Sequence, residues 1–351
     1  MDRTQEGPEP DLFDTQDSDD EAPQPASRRD GKERRRNRKV FVAALVLLLV
    51  PVLAVGGYLV WLNQIVTSNV KQATLLPDSG PDAQPTDKAG NPVAQPAGNG
   101  TNYLLIGNDA RPGDTGSRSD VMVLVHMPDD RSDVTLIHFP RDLWVPIPGK
   151  GEAKLNAAYA FGGAPLLVKT MQNMLGIEID HVAMVGFEGF KDMTDAVGGV
   201  DVQVEEGSEG DGKVFREGTM HMDGETALVF VRQRKQLSEG DISRGKRQQA
   251  FIKALMLQTL SADTLTNPIR LKDFLDAATS NLTVDQKLDV GTMRSEAFAM
   301  RNLRGGDVRF ITAPFTGFGW SADGQSIDIV DEVRMQELGE ALRTDSLTSY
   351  E

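Results

Sequence analysis

The distribution of hydrophobic and polar positions divides the chain into four parts. A polar tract rich in Asp, Glu, Pro, Gln and Ser comes first and ends in a basic run, and an uncharged run of 23 residues follows it. A stretch rich in Pro, Gly and Asp separates this run from a long region in which apolar runs alternate with polar segments. We therefore predict a disordered cytoplasmic tail (1–39), a transmembrane helix (40–62), an extracellular linker (63–100) and one folded domain (101–345).

The uncharged run, VFVAALVLLLVPVLAVGGYLVWL (40–62), is long enough to span a bilayer. As a helix it would measure roughly 34 Å, against a hydrocarbon core of about 30 Å. The alternative is a cleaved signal peptide, whose apolar core is typically about 7–15 residues long and starts near the N-terminus. The basic run Arg28–Lys39 lies on the N-terminal side, so the positive-inside rule places the tail in the cytoplasm and the domain outside.

Short β-rich apolar runs within the domain predict strands, and segments with a period of 3.6 residues predict helices. The strand candidates are 101–109, 121–127, 134–139, 201–205 and ALVFVRQR (227–234), and the helix candidates are 164–176, 241–260 and 328–342. Alternating strands and helices indicate a layered α/β domain.

Composition and charge narrow the functions that the chain can have. It has no cysteine, which excludes disulfides, thiolate metal sites and cysteine nucleophiles. Its net charge is −15, and most of the acidity lies after residue 62, which argues against nucleic-acid binding. The four histidines, His126, His138, His181 and His221, are scattered and are interpreted as structural, so no zinc site is predicted.

A basic segment stands out against this acidity. The stretch VFVRQRKQLSEGDISRGKRQQ (229–249) contains six Lys or Arg residues. On the predicted strand, Arg232 and Arg234 would share one face, and Asp241 would cap a helix that carries Arg244 and Gln248 four residues apart. Guanidinium groups and a helix N-terminus suit phosphate, although a solvated basic loop is the alternative.

Two further clusters occur at predicted strand ends. Asp109 and Asp120 flank a Gly-rich loop that contains Arg111 and Arg118, and two such carboxylates could hold Mg²⁺ or cap turns.

The other cluster follows the strand candidate 134–139. Arg141 and Asp142 come directly after Pro140, while Lys154 and Asn156 precede a helix-like AAYA. The alternative for Arg141 and Asp142 is a local ion pair, worth little if it is exposed.

Taken together, the motifs resemble a known family. The order GND-x-R, RSD, PRDLWVPIPG, KLNAAYAFGG, FEGFKDMTDAVGGVDVQV, MDGETALVFVRQR and DISRGKRQQ is similar to that of the LytR-CpsA-Psr family of cell-wall glycopolymer ligases. The match is close over about 101–255 and weaker to about 345. His138 and Phe139 stand where the family often has Ser-Ile, and Phe230 replaces a common Tyr.

The resemblance implies an α-β-α layered domain with a central mixed β-sheet flanked by helices, preceded by one transmembrane helix. It implies a phosphotransferase that moves a glycopolymer, such as teichoic acid or arabinogalactan, from a polyprenyl-pyrophosphate carrier to peptidoglycan and releases polyprenyl phosphate. Asp109 and Asp120 would hold Mg²⁺ or Mn²⁺, and Arg118, Arg141 and Asp241 would be catalytic. The pyrophosphate would be bound by Arg118, Arg141, Lys154, Arg232, Arg234, Arg244 and Gln248.

Other interpretations of the function and of two apolar runs stay open. The same site could hydrolyse a polyprenyl pyrophosphate with water as the acceptor, or the protein could be a non-catalytic sensor of wall precursors. The apolar runs HVAMVGF (181–187) and APLLVKTMQNML (164–175) could line a lipid pocket or belong to an ordinary core.

Overall fold

The computed structural model describes residues 54–78, 84–87, 90–95, 100–108, 119–233, 236–238 and 241–350. The predicted tail, most of the predicted membrane span (40–53) and part of the predicted linker lie outside these ranges. Within the described ranges, no helix has both the length and the apolar character that a membrane crossing requires.

The chain divides into two units, 1–59 and Val60–Glu351, and the fold described below belongs to the second. Its strands are β1 (Lys71–Ala73), β2 (Thr101–Asn108), β3 (Ser119–Met127), β4 (Val134–His138), β5 (Leu143–Ile147), β6 (Gly151–Lys154), β7 (His181–Gly186), β8 (Val200–Val204), β9 (Ser208–Gly210), β10 (Lys213–Phe215), β11 (Gly218–Met222), β12 (Leu282–Asp285), β13 (Val308–Thr312), β14 (Phe315–Trp320) and β15 (Ser326–Val330).

Helices occur before, between and after these strands. They are α1 (54–69), α2 (Leu155–Leu175), α3 (Phe187–Ala196), α4 (Gly224–Arg232), α5 (Asp241–Thr259), α6 (Ala262–Thr266), α7 (Pro268–Ser280), α8 (Val290–Ala299) and α9 (Glu332–Arg343).

A seven-stranded mixed sheet forms the centre of the domain, in the order β1-β12-β7-β2-β3-β4-β13. β2 runs antiparallel to β3 and parallel to β7, and β4 runs antiparallel to β3 and parallel to β13. A four-stranded sheet, β14-β15-β5-β6, and two strand pairs complete the β-structure of the described residues.

Helices cover both faces of the central sheet. On one face, Leu104, Leu124 and Ile137 are buried in a cluster with residues of α2 and α9. On the other, Val123 and Leu136 are buried in a cluster that includes Ile252 of α5 and Met293 of α8. Apolar residues therefore point to both sides of each strand, which explains the near-continuous apolar runs and confirms the mixed α/β fold with a central mixed sheet.

The prediction of a strand at 227–234 is wrong, because this segment forms α4 and ends at Arg232. The Asp223 carboxylate accepts a hydrogen bond from the Thr226 amide and caps the helix. Ala227, Phe230 and Val231 are buried in a cluster at helical i, i+3, i+4 spacing. The apolar run is thus one face of a short amphipathic helix, and the paired strand face predicted for Arg232 and Arg234 does not exist; Arg234 lies outside the described residues.

Part of the segment assigned to a linker belongs to the folded unit. β1 pairs in parallel with β12 at the edge of the central sheet, and Leu75 is buried in the main core. Further along, the Thr86 amide donates a hydrogen bond to Asn173 of α2. The folded unit therefore begins before residue 101. The sequence did not predict β1, because a strand of three residues carries too little pattern.

Candidate functional site

One edge of the central sheet collects strand ends from distant parts of the chain. The β2–β3 register pairs Asn108 with Ser119, and Asn108 also pairs with Gly186 at the end of β7. His138, the last residue of β4, pairs with Val123 of β3 and with Thr312 at the end of β13. Residues that follow β2, β4 and β7, and those that open β3, are therefore brought to one side of the domain.

Four basic side chains and one amide reach this side from different elements. We call them the cationic edge: Arg141, Lys154, Arg232, Arg244 and Gln248. The contacts described next connect each of them to a strand end or to a neighbouring member.

Arg141 and Lys154 are connected through Asp142. The Lys154 Nζ lies 2.9 Å from Oδ1 of Asp142, and the Arg141 Nε lies 3.7 Å from Oδ2 of the same carboxylate. The Arg141 carbonyl accepts a hydrogen bond from the Asn156 amide in the first turn of α2. The local ion pair considered as an alternative is therefore present, and the Asp142 carboxylate lies between two cations beside the N-terminus of α2.

Arg244 lies in the first turn of α5, and it is 3% exposed. Its neighbour is His138, which is also buried. Burial, and then the charge of Arg244, lower the pKa of His138 to about 4, so the imidazole is neutral at neutral pH. A Cβ on Gly245 would lie 2.7 Å from Nε2 of His138, so only glycine lets α5 pack this closely on β4.

Gln248 and Arg232 extend the cluster along the edge. Nε2 of Gln248 donates to the Val231 carbonyl at 3.4 Å, which connects α5 to α4. The Arg232 guanidinium lies 4.7 Å from the ring centroid of Phe187, directly after β7. Arg232 is exposed and occupies the last turn of α4, where a cation interacts favourably with the helix dipole.

Arg247, one of the arginines of the basic segment, has a structural role. Its guanidinium lies 4.5 Å from the Phe230 ring centroid, and Nη2 donates to the Glu206 carbonyl and to Ser208. It is 5% exposed, and burial lowers its pKa. Phe230, which replaces the tyrosine common in the family, is thus a packing partner of this buried cation.

The structure locates the remaining candidates only in part. Asp241 is the first residue of α5, and Asp120 is the second residue of β3, but neither side chain is among the described ones. Asp109, Arg111, Arg118 and Arg234 lie outside the described residues. Within the ranges that are described, no group of three or more His, Asp or Glu side chains is placed to hold a metal ion.

Parts of the two apolar runs considered as lipid-pocket walls lie in the core. Leu167, Val168 and Met171 of α2 are fully buried in the main cluster, as is Val182 of β7. These residues are therefore core-forming in this structure.

Sequence reasoning missed His138 as a neighbour of Arg244, and it missed the contact between Asp142 and Lys154. The signal for His138 was its departure from the family pattern directly before Pro-Arg-Asp. For Asp142 the signal was its position between Arg141 and the distant Lys154, which only the β5–β6 hairpin brings close.

Comparison with known proteins relates this arrangement to characterised relatives. The family model LytR_cpsA_psr matches residues 68–344. The polyisoprenyl-teichoic acid–peptidoglycan teichoic acid transferase TagU of Oceanobacillus iheyensis is 34% identical over 271 residues, 75% of this chain and 82% of that protein. The cell wall biosynthesis protein LcpA of Corynebacterium glutamicum is 30% identical over 278 residues, 66% of this chain but only 53% of that protein.

A solved structure shares the fold. The LytR-CPS2A-psr family protein YwtF (TagT) with bound octaprenyl pyrophosphate lipid superimposes with a TM-score of 0.53 and 26% identity. The match covers 70% of this chain and 90% of that chain.

Proposed function

The chain belongs to the LytR-CpsA-Psr family, and we propose that it transfers a glycopolymer from a polyprenyl-pyrophosphate carrier to peptidoglycan. TagU is named for this reaction with teichoic acid, and TagT binds octaprenyl pyrophosphate. The products would be a phosphodiester-linked wall polymer and polyprenyl phosphate.

The observation that carries the proposal is the cationic edge itself. Four basic groups converge from the segment after β4, the end of β6, α4 and α5, in a chain whose net charge is −15. Arg141 and Lys154 share the carboxylate of Asp142, and Arg244 is buried beside the neutral imidazole of His138. A pyrophosphate carries the negative charge that attracts such a group of cations, and guanidinium groups bind its oxygens in pairs.

The reaction needs charge neutralisation and positioning more than a covalent nucleophile. An acceptor hydroxyl would attack the sugar-bearing phosphorus as the bond to the bridging oxygen breaks, and the lipid phosphate would leave. Arg118, Arg141, Lys154, Arg232, Arg234, Arg244 and Gln248 would neutralise and orient the pyrophosphate. Asp241, the first residue of α5, would accept the hydroxyl proton or orient an arginine.

Asp109 and Asp120 would hold Mg²⁺ or Mn²⁺. The β2–β3 register supports this, because Asn108 pairs with Ser119 at the end of β2, and Asp109 and Asp120 follow these two residues in the sequence. Two carboxylates suit Mg²⁺, which takes its other ligands from water and phosphate. When bound, the ion would withdraw charge from the phosphate oxygens.

We also propose the cellular arrangement predicted from the sequence. The uncharged run 40–62 would anchor the protein, with residues 1–39 in the cytoplasm and the domain outside. Peptidoglycan is then on the same side of the membrane as the cationic edge.

A transfer assay with the full-length protein in detergent tests the function. Labelled lipid-linked glycopolymer and peptidoglycan are supplied with Mg²⁺, and labelled wall product is measured. Arg141→Ala and Arg244→Ala should each lower the rate by about 100-fold or more, because each removes a cation that stabilises the negative charge developing on the phosphate oxygens. Chelation with EDTA should stop the reaction, and added Mg²⁺ should restore it.

Arg301→Ala is the matched control, since the Arg301 guanidinium lies over the exposed ring of Phe298 much as Arg232 lies over Phe187. Its activity should equal that of the wild type. Free polymer phosphate without wall-linked product would instead identify a hydrolase. Unchanged transfer by Arg141→Ala and Arg244→Ala would refute the assigned site.

A further inference from the structure

The hairpin β5–β6 extends from the cationic edge and forms part of the lining of a separate cavity. Lys154 at the end of β6 pairs directly with Trp144 of β5. The two residues share one face of the hairpin, because directly paired side chains lie on the same side of a sheet. Trp144 is therefore the immediate neighbour of a residue that contacts Asp142 beside Arg141.

This face of the hairpin is turned away from the core. Leu143, Val145 and Ile147 are buried, whereas Pro146 and Glu152 are exposed and Trp144 is half-buried. The Trp144 indole N–H donates a hydrogen bond to Oε2 of Glu152 at 3.2 Å, which fixes the orientation of the ring. A flat aromatic side chain with a fixed orientation is thus partly open to solvent.

The cavity next to it has the size of a ligand site. It measures about 610 Å³ and extends from Trp144 and Pro148 of the hairpin to Met174 near the end of α2 and Gln336 of α9. Ligand pockets typically span roughly 300–1,000 Å³ and combine apolar surface with a few polar groups. The strand residues on this lining, Trp144 to Ile147, extend over about 10 Å at roughly 3.3 Å per residue.

The charged side chains that line the cavity argue against an anionic or a purely apolar ligand. The charged side chains on the described lining are Asp87, Glu152, Glu332 and Arg343. Arg343 is already engaged by the Gly176 carbonyl and by Glu340. An anionic polymer would be repelled by the carboxylates, and a polyprenyl chain would remove these charged groups from water at a cost in free energy.

We propose that this cavity binds the uncharged glycan strand of the acceptor, with a sugar ring stacked on Trp144. A sugar ring has an apolar face of C–H groups and a rim of hydroxyls, which matches an indole bordered by carboxylate and amide side chains. The proposal rests on the proposed function for the identity of the glycan. This second binding site begins at Trp144, which pairs directly with Lys154 of the cationic edge.

Direct binding tests this site without relying on catalysis. The full-length protein in detergent is titrated calorimetrically with chitohexaose, a neutral β-1,4-linked N-acetylglucosamine oligomer. Trp144→Ala should weaken binding about tenfold or more, which is about 1.4 kcal/mol, because the stacking surface is lost. Trp144→Phe should retain part of the affinity. Trp320→Ala is the matched control, since Trp320 is 77% exposed on β14, and its variant should bind like the wild type.

Two further probes make the outcome unambiguous. Farnesyl pyrophosphate should bind Trp144→Ala as it binds the wild type, which shows that the fold and the cationic edge are intact. Poly(glycerol phosphate) should not compete with chitohexaose at this site. If Trp144→Ala loses both probes, Glu152→Gln, which alters an exposed rim residue, must still weaken chitohexaose binding.

The proposal is overturned if the wild type does not bind chitohexaose, if Trp144→Ala binds it unchanged, or if the anionic polymer displaces it. Glycan binding through Trp144 in a protein that transfers no polymer would sink the proposed function and leave this site standing. If Trp144→Ala transfers polymer with an unchanged KM for the acceptor, the proposed function stands and the Trp144 site is refuted.

Discussion

At the scale of single residues, the cationic edge depends on a neutral neighbour. His138 is buried, and its ring contacts the position where Gly245 lacks a side chain. Because the imidazole is uncharged at neutral pH, it adds no positive charge next to Arg244. The interpretation of His138 as structural, made from the sequence, is consistent with the burial of this residue. The proximity of His138 to Arg244 follows only from the packing of α5 on β4.

His138 should make the stability of the protein depend on pH. Its folded pKa of about 4 lies below the usual 6.5, so the unfolded chain binds more protons between these values. The stabilisation is complete above pH 6.5 and is lost as the pH falls towards 4, by up to roughly 3 kcal/mol. Urea unfolding at pH 7.5 and pH 5.0 should show this loss in the wild type.

His138→Gln removes the titrating group and should show a smaller loss of unfolding free energy between the two pH values. Some dependence should persist, because burial also lowers the pKa of His126. His221→Gln is the control, since His221 is exposed and its variant should behave like the wild type. An equal loss in the wild type and in His138→Gln would contradict the assignment.

At the scale of elements, α4 shows how a cap decides between strand and helix. The run ALVFVR is apolar enough for either, and β-branched residues favour a strand. Asp223 and Thr226 form the N-cap hydrogen bond, and Gly224 allows close packing on Lys191 of α3. As a helix, the segment ends with Arg232 over Phe187, which places the guanidinium at the end of β7.

Asp223→Ala should therefore destabilise the domain by about 1 kcal/mol through loss of the cap. Hydrogen bonds from Thr226 lower the pKa of the Asp223 carboxyl, so the effect should be present at neutral pH. Denaturant unfolding measures the change in free energy. Asp201→Ala removes an exposed carboxylate paired with His221 and should change little. Equal stability of the Asp223→Ala variant and the wild type would argue against the cap.

At the scale of the whole molecule, the folded unit extends towards the N-terminus beyond the predicted boundary at residue 101. β1 adds a parallel strand to the edge of the central sheet, and Leu75 is 6% exposed. Sequence pattern could not show this, because the surrounding residues have the composition of a linker and the strand has three residues. The family model, which matches from residue 68, agrees with the earlier start.

A chain that begins at Thr101 should consequently be less stable than one that begins at Asn63. The shorter chain loses the β1–β12 pairing and the burial of Leu75, which alone is worth roughly 1.5–3 kcal/mol. We expect its Tm to be lower by about 5 °C or more in thermal unfolding followed by circular dichroism. Equal Tm values for the two chains would show that residues 71–76 contribute nothing to the fold.

The sequence by itself determined the class of fold, most of the long helices and central strands, and the family. These follow from local properties: apolar period, capping residues and the spacing of motifs. It also identified Arg244 and Gln248 as candidates within a basic segment of an acidic chain, and the family resemblance added Arg141 and Lys154.

Only the tertiary structure decided how these residues meet. Sheet register brings the ends of β2, β4 and β7 to one edge. Asp142 connects the cations that flank the β5–β6 hairpin, and Gly245 lets α5 approach His138. The same packing made ALVFVR a helix and turned Trp144 towards a cavity beside Lys154. These outcomes depend on contacts between distant segments, which no local pattern encodes.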